Sequence, residues 1–391
     1  MLNRALELQD SLSTLRRTIH QNPELSFEEF ETAALVSKTL KELGIEHRTG
    51  VGRTGVVATL GNASTNGRRI GIRADMDALP ILEARDVPYK SKIPGKMHAC
   101  GHDAHTATLL GVAMLLAKET IDGEIRLLFQ PSEEAADSEG VSGAPRMIED
   151  GAIEGLDAVI ALHTDSRLDC GKVAVTRGYA LANVDTVYAK IKGVGGHGAM
   201  PHSAIDPIFI LGPVLNALHG IVSRRVDPTL PAVVTVGRVS GGTASNVIPD
   251  TVELDLTLRS LDDHTRELLL LEVENALAIA KNLGGDYSLE IERGYPSLFN
   301  DDEVCDWVAG TAQTLIGEDN VVSSELIMGA EDFAYMARAS RGMMMWLGTK
   351  EPDGPERFHH HPEFDVDERS MPIGAAILAE TARRYVQHEI G

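Results

Sequence analysis

The stretch VDTVYAKIKG, Val184 to Gly193, opens a run of elements whose order decides the fold. It is strand-like, with β-branched and apolar residues interleaved among polar ones. The period then keeps switching. DPIFILGPVLNALHGIVSRR reads as a helix, PAVVTVGRVSG and TVELDLTLRS as strands, DDHTRELLLLEVENALAIAKNLG as a long helix and DYSLEIERGYP as a final strand. The order β-α-β-β-α-β is the split pattern of a ferredoxin-like unit, here expected over residues 183–299.

On both sides of this unit the rhythm differs. Leu2 to His20 and Glu29 to Leu43 are amphipathic helices, the second stopping at Gly44. Short β-like runs follow at Gly55–Leu60, Arg69–Arg73, Glu124–Phe129 and Ala158–Leu162, with a helix over Ala104–Lys118 between them. After the split unit come a helix around Glu303–Ile316, the run MMMWLGT and a C-terminal helix from Pro372. Strands alternating with helices predict an α/β domain whose central sheet is mostly parallel and covered by helices. That domain spans residues 1–182 and 300–391, and the ferredoxin-like unit is inserted into it. A chain of 391 residues is long enough for two or three domains.

The balance of 36 basic against 58 acidic residues gives a net charge of −22. Such a surface repels phosphate backbones and anionic lipid, so neither nucleic acid nor membrane is an expected partner. No apolar run approaches ~20 residues, the length needed to cross a bilayer. The N-terminus MLNRALELQD lacks the apolar core of a signal peptide. Three cysteines without a CxxC pair make no disulfide framework. A cytoplasmic location is the expectation.

The chemistry-bearing residues follow the strands. IGIRA runs into Asp75 and Asp77, EIRLLFQP into Glu133 and Glu134, and AVIAL into His163. MMMWLGT precedes a loop holding His359, His360 and His361, and MHACGHDAH (Met97–His105) lies on a loop just before a helix. In α/β sheets ligands gather at the carboxyl ends of strands. Each residue alone reads as structural, and Glu133–Glu134 alone reads as a charge pair opening a helix, where acids are favoured. Their joint occurrence points to one shared site. It suits a two-metal hydrolase, in which two divalent ions share a water and a nearby carboxylate moves protons.

As a set and in order, MHACGHDAH, FQPSEEA, GGHGAMPH, SNVIPD, GAEDFA and FHHHPEF resemble the metal-dependent aminoacylase/carboxypeptidase family. The resemblance is to the branch of hippurate hydrolase and indoleacetyl-amino-acid hydrolase, the N-acyl-L-amino acid amidohydrolases. It extends from HQNPEL at His20 to HPEFDVDE near Glu368. It implies a di-metal catalytic domain with an inserted ferredoxin-like lid that also serves dimerisation. It implies Cys100, His102, Glu134, His163 and His360 as metal ligands, with Cys100 bridging; His359 and His361 remain alternatives to His360. Two divalent ions per chain are expected, and thiolate, imidazole and carboxylate together admit Zn, Mn, Co or Ni. Glu133 is the implied base, and Asp77 orients a ligand histidine. Asp75 stands where other branches place a histidine ligand. Asp103 either orients a ligand or caps a helix. His20 reads as structural, and Glu331 and Asp332 resemble residues near the family's site.

In the lid, the resemblance gives His197 an oxyanion-stabilising role, commonly in the partner subunit's site. Asn246 and Arg259 then grip a substrate carboxylate, for which a planar guanidinium is suited. His202 carries no role. The implied reaction is cleavage of the amide of N-acyl amino acids, or of the C-terminal residue of small peptides, by a metal-bridging hydroxide. The implied assembly is a homodimer or homotetramer. A dipeptidase or aminopeptidase on the same metals is the alternative, but it needs an acidic anchor for a free amine, and the lid shows none. A non-catalytic metal-dependent binding protein is a further rival, which the presence of Glu133 disfavours. Two segments depart from the branch: ADSEGVSGAPRMIEDGA after the glutamate pair and TDSRLDCG after His163.

Overall fold

In the computed structural model, which describes residues 1–62 and 67–391, the apolar runs flanking the insert become neighbours in one eight-stranded sheet. From edge to edge its strands are Glu46–Val51, Gly55–Gly61, Glu124–Gln130, Arg69–Asp75, Ala158–Asp169, Arg341–Lys350, Val173–Ala174 and Val321–Val322. The strands Arg69–Asp75, Glu124–Gln130, Ala158–Asp169 and Arg341–Lys350 pair in parallel at the centre. The first two strands attach antiparallel. The central strands are apolar throughout because both faces are covered, as parallel sheets require. Ile70, Ile72, Ile125, Leu127, Ile160, Met343 and Met345 lie in one core with the helices His102–Leu116, Asp302–Ile316 and Ser370–Val386. Burying each such side chain contributes about 1.5–3 kcal/mol.

The chain divides into two units. One is Met1–Gly178 with Phe299–Leu326 and Asp332–Gly391; the other is Tyr179–Leu298 with Ile327–Glu331. The segment Ile327–Glu331, which the sequence leaves with the large domain, joins the second unit through Ala182 N donating to Gly329 O at 2.8 Å. That unit is a four-stranded antiparallel sheet in the order Ala232–Gly241, Thr251–Ser260, Asn183–Lys192, Asp286–Arg293. Helices Pro207–Arg225 and Asp263–Leu277 pack one face through Ile210, Val214, Leu218, Leu269 and Val273. Both helices start on aspartate caps: Asp206 accepts from Ile208 N, and Asp262 from Thr265 N.

Three elements differ from the sequence reading. The helix expected from Leu2 to His20 is two, Leu2–Leu6 and Gln9–Gln21. The strand expected to stop at Leu162 continues to Asp169, because the buried polar residues Thr164 and Asp165 keep pairing, with Leu347 and Gly348, and Asp169 pairs with Lys350 beyond a register shift. The helix Pro207–Arg225, with mean hydropathy 1.2, is long and apolar enough to cross a membrane, although no such run was expected. Its Ile210–Val214–Leu218–Ile221 face is the core of the second unit.

Candidate metal centre

Gly101, at φ +97°, begins the helix His102–Leu116 and has no room for a side chain, since a β-carbon would meet Thr164 Oγ1 at 2.4 Å. This tight turn sets Cys100 and His102 beside strand Ala158–Asp169. Cys100 Sγ lies 3.5 Å from His163 Nε2. His163 Nδ1 faces the Thr164 carbonyl at 2.8 Å, so Nδ1 donates and the Nε2 lone pair turns to the thiol. His102 is held in the same way. Its Nδ1 faces two acceptors, Asp77 O at 2.9 Å and Asp77 Oδ1 at 3.1 Å. Its buried Nε2 has no hydrogen-bond partner among the described residues, with Asp75 Oδ2 3.5 Å away.

Asp77 does more than orient His102. Its Oδ2 accepts from Ser26 Oγ at 2.7 Å and from Glu134 N at 2.9 Å, tying the loop at His102 to the glutamate pair. His360, at φ +60° with its N donating to Ala99 O at 2.7 Å, places Nε2 3.1 Å from Glu134 Oε1. His359 instead turns inward against Phe364 and His163. Burial, followed by the charges of His163 and His105, holds His359 well below the ordinary histidine range.

The donor atoms group into triads. Cys100, His102 and His163 form one, and Cys100, Glu134 and His360 another; within each, the atoms lie within 4.8 Å of one another. Both triads contain Cys100. Glu133 Oε2 is 4.0 Å from His102 Nε2, and Glu133 and Glu134 form a third cluster with His102.

The electrostatics favour a cation. Burial, then Glu134 and Glu133, push the Cys100 thiol well above its ordinary value. Burial lowers the pKa of His102, but the charge of Asp75 and the bond to Asp77 raise it to about 10. A thiol, crowded carboxylates and an imidazole nitrogen without a partner fit divalent ions.

His105 stands one turn beyond His102, and both its nitrogens are used. Nδ1 lies 2.6 Å from Asp75 Oδ1, and Nε2 accepts from Thr164 N at 2.9 Å. Asp75 also accepts from Arg73 Nη1 at 2.7 Å. Asp103 neither caps its helix nor faces His102. Its Oδ2 takes Arg16 Nε at 2.7 Å and lies 2.8 Å from His20 Nδ1. Buried Arg16 extends the network to Asp365 Oδ1 at 2.9 Å and Glu368 Oε1 at 3.2 Å. It thereby joins the segment after His102 to the segment after His360.

In the second unit, His197 and Asn246 meet on a short ribbon, Gly196–His197 against Val247–Ile248, with Gly198 N donating to Asn246 O at 2.8 Å. His197 is exposed, and its Nδ1 accepts from Ala199 N at 3.0 Å. Arg259 lies on the sheet face opposite the helices and donates to Met328 O at 3.0 Å. Partial burial lowers its pKa, and no carboxylate pairs with it among the described residues.

The sequence pattern of peptidase family M20/M25/M40 matches residues 71–384. The chain belongs to this family. N-acetyl-L-cysteine deacetylase of Bacillus subtilis is 41% identical over 385 residues, 97% of this chain and 89% of that protein. Thermostable carboxypeptidase 2 of Saccharolobus solfataricus is 40% identical over 391 residues, 98% of this chain and 97% of that protein. Among solved structures, the YXEP protein of Bacillus subtilis, a dinuclear metal binding peptidase of family M20, aligns with TM-score 0.84 and 34% identity. The alignment covers 97% of this chain and 99% of that one. This M20 chain is a metal-dependent hydrolase of the amidohydrolase and metallopeptidase type.

Sequence reasoning missed the groups that brace the M20 centre. Arg73, buried in strand Arg69–Asp75, donates to Gln130 Oε1 at 2.8 Å and to Asp332 Oδ1 at 3.1 Å as well as to Asp75. Asp332, for which the sequence supplied no role, also receives Gln130 Nε2 at 2.7 Å, Ser142 Oγ at 2.7 Å and Ala144 N at 2.9 Å. It therefore anchors the segment after the glutamate pair that departs from the branch. A charged residue inside an apolar strand was the available signal, because such a residue is buried only when paired.

Proposed function

We propose that this M20 enzyme hydrolyses the amide of N-acyl amino acids, or of the C-terminal residue of small peptides, with two divalent ions per chain. The observation that carries this reading is the pair of donor triads sharing Cys100, the arrangement that two ions with one bridging ligand need. In this reading Cys100, His102, Glu134, His163 and His360 hold the metals. Bound there, the ions would polarise the scissile carbonyl and acidify a water. The thiolate favours Zn, while the imidazoles and the carboxylate also admit Mn, Co or Ni.

The remaining roles belong to the chain. Asp77 keeps the proton on His102 Nδ1 and leaves Nε2 to face the metals. Glu133 accepts a proton from the attacking water and returns it to the leaving nitrogen. His197, whose Nδ1 is already an acceptor, carries its N–H on Nε2 when neutral and from there donates a hydrogen bond to the developing oxyanion. Arg259, with Asn246, holds the substrate carboxylate; its lack of an acidic partner supports that role. The relatives named for N-acetyl-L-cysteine deacetylation and carboxypeptidase action both fit a substrate with a free carboxylate. A dipeptidase or aminopeptidase would need, besides these groups, an acidic anchor for the substrate's free amine.

The proposal includes a cytoplasmic homodimer or homotetramer in which His197 serves a partner's site. Exposed Ile208 and Phe209 on the helix Pro207–Arg225 support assembly through the inserted unit. The deciding experiment is glycine release from hippurate with added Mn or Zn, repeated after chelation and set beside N-acetyl amino acids and dipeptides. Metal-dependent release with N-acyl substrates preferred is expected. Preference for dipeptides with a free amine would reject the N-acyl reading.

A further inference from the structure

Glu29, at the head of the helix Phe30–Glu42, is fully buried and outside the ligand set. Its Oε1 accepts from Phe27 N at 2.9 Å and Ser132 N at 2.8 Å, and its Oε2 accepts from the Thr54 hydroxyl. One carboxylate thus joins three loops. All three are strained. Of the six non-glycine residues with positive φ among those described, Phe27 (61°), Arg53 (82°) and Ser132 (48°) lie on these loops. Left-handed backbone is costly for a residue with a β-carbon and persists only where the surroundings impose it. The loops also have no slack: a β-carbon on Gly143 would meet Pro131 O at 1.6 Å, and one on Gly55 would meet Phe129 O at 2.9 Å.

Ser132 immediately precedes Glu133 and Glu134. Its turn is closed from three directions: Glu29 holds its N, its Oγ donates to Ala135 O at 2.7 Å, and its carbonyl accepts from Gly143 N at 2.8 Å. Two residues on, Asp77 holds Glu134 N at 2.9 Å. Two carboxylates therefore fix alternate N–H groups of the glutamate turn, and both glutamates gather at His102. Glu29 is kept there at a cost, since burial and then the charge of Asp77 raise its pKa to about 7.

We propose that Glu29 is a positioning residue for the catalytic base: by imposing the left-handed turn at Ser132, it fixes the direction from which Glu133 reaches the scissile amide. This rests on Glu133 being the base.

The test is steady-state kinetics of the folded, metal-saturated enzyme on hippurate. Glu29→Ala should lower kcat roughly 10-fold or more with KM nearly unchanged, since small misplacements of reacting groups cost that much. Glu29→Gln keeps an acceptor for Ser132 N and should hold kcat within about threefold, because a neutral acceptor still makes the bond. In a Ser132→Gly background, where positive φ costs little, the loss caused by Glu29→Ala should shrink several-fold. Should Glu29→Ala not fold, Glu29→Asp, too short to span Ser132 N and Thr54 together, takes its place under the same criteria. Unchanged kcat in the Ala or Asp variant, equal losses in that variant and Gln, or no shrinkage with glycine at position 132 overturns the proposal. Glu133→Gln separates the two readings: if it too keeps its rate, the base assignment has failed; if it alone loses rate, only the role of Glu29 has failed.

Discussion

In the large unit His102 is fully buried, with Asp77 on one ring nitrogen and donor atoms crowding the other. In the inserted unit His197 is exposed, and its ring accepts a bond from its own loop two residues on. The same contrast runs through their neighbours. Arg73 is gripped by Asp75 and Asp332, whereas Arg259 has one backbone carbonyl. A buried, braced group is preorganised and loses little freedom when it acts; an exposed one must be ordered by what it binds. Substitutions in the first region should therefore strike metal content and kcat, and those in the second kcat/KM and substrate choice.

The largest effect is expected at Glu133. Glu133→Gln should keep its metal, by elemental analysis, and lose roughly 10²–10⁴-fold in kcat, the scale of general acid–base catalysis. Metal loss instead would mean that the two adjacent glutamates have exchanged roles. Next comes Cys100→Ser. Because both donor triads use this thiol, it should weaken both ions together and activity with them, as a divalent-ion titration would read. A variant with full metal content and full rate would remove Cys100 from the centre.

Arg259→Ala probes the other side of the comparison. A charge-assisted Arg–carboxylate contact is worth a few kcal/mol, against about 0–1 for a surface pair. The variant should lose roughly 10²-fold in kcat/KM on hippurate, at 1.4 kcal/mol per tenfold. It should also stop distinguishing hippurate from its uncharged amide. If wild type hydrolyses that amide as fast as the acid, the enzyme has no carboxylate anchor and is a broader amidase.

The comparison also explains what could be read in the sequence. The insert was legible because its strands and helices each bury one face, so the period of the pattern announces the element. The cluster at Cys100 and His102 was legible because metal chemistry uses few residue types at short spacing. Strand Ala158–Asp169 was cut short in reading because its last buried residues are polar, and a hydropathy pattern ends where apolar residues end. Glu29, Arg16 and Arg73 were invisible, and Asp332 stood out only by resemblance, without a role. Each has a partner far away in sequence, and a lone charge in a helix or strand looks like any solvated one until the fold surrounds it.

The smallest expected effect is on stability and again contrasts the buried region with an ordinary surface. Glu29 has a pKa raised from 4.5 to about 7, by burial first and the charge of Asp77 second. The folded state therefore prefers this carboxyl protonated. Its stabilising contribution is complete below the unfolded value of 4.5 and is lost as pH rises through about 7. Glu29→Gln cannot titrate and should not follow that slope. Urea unfolding of chelator-treated protein between about pH 4.5 and 8 should show wild type losing about 1–3 kcal/mol relative to the variant. An exposed glutamate, whose pKa folding hardly changes, would give a flat difference. A flat difference at Glu29 would mean that its anion is as well solvated folded as unfolded, the bonds from Phe27 N, Ser132 N and the Thr54 hydroxyl fully offsetting its burial.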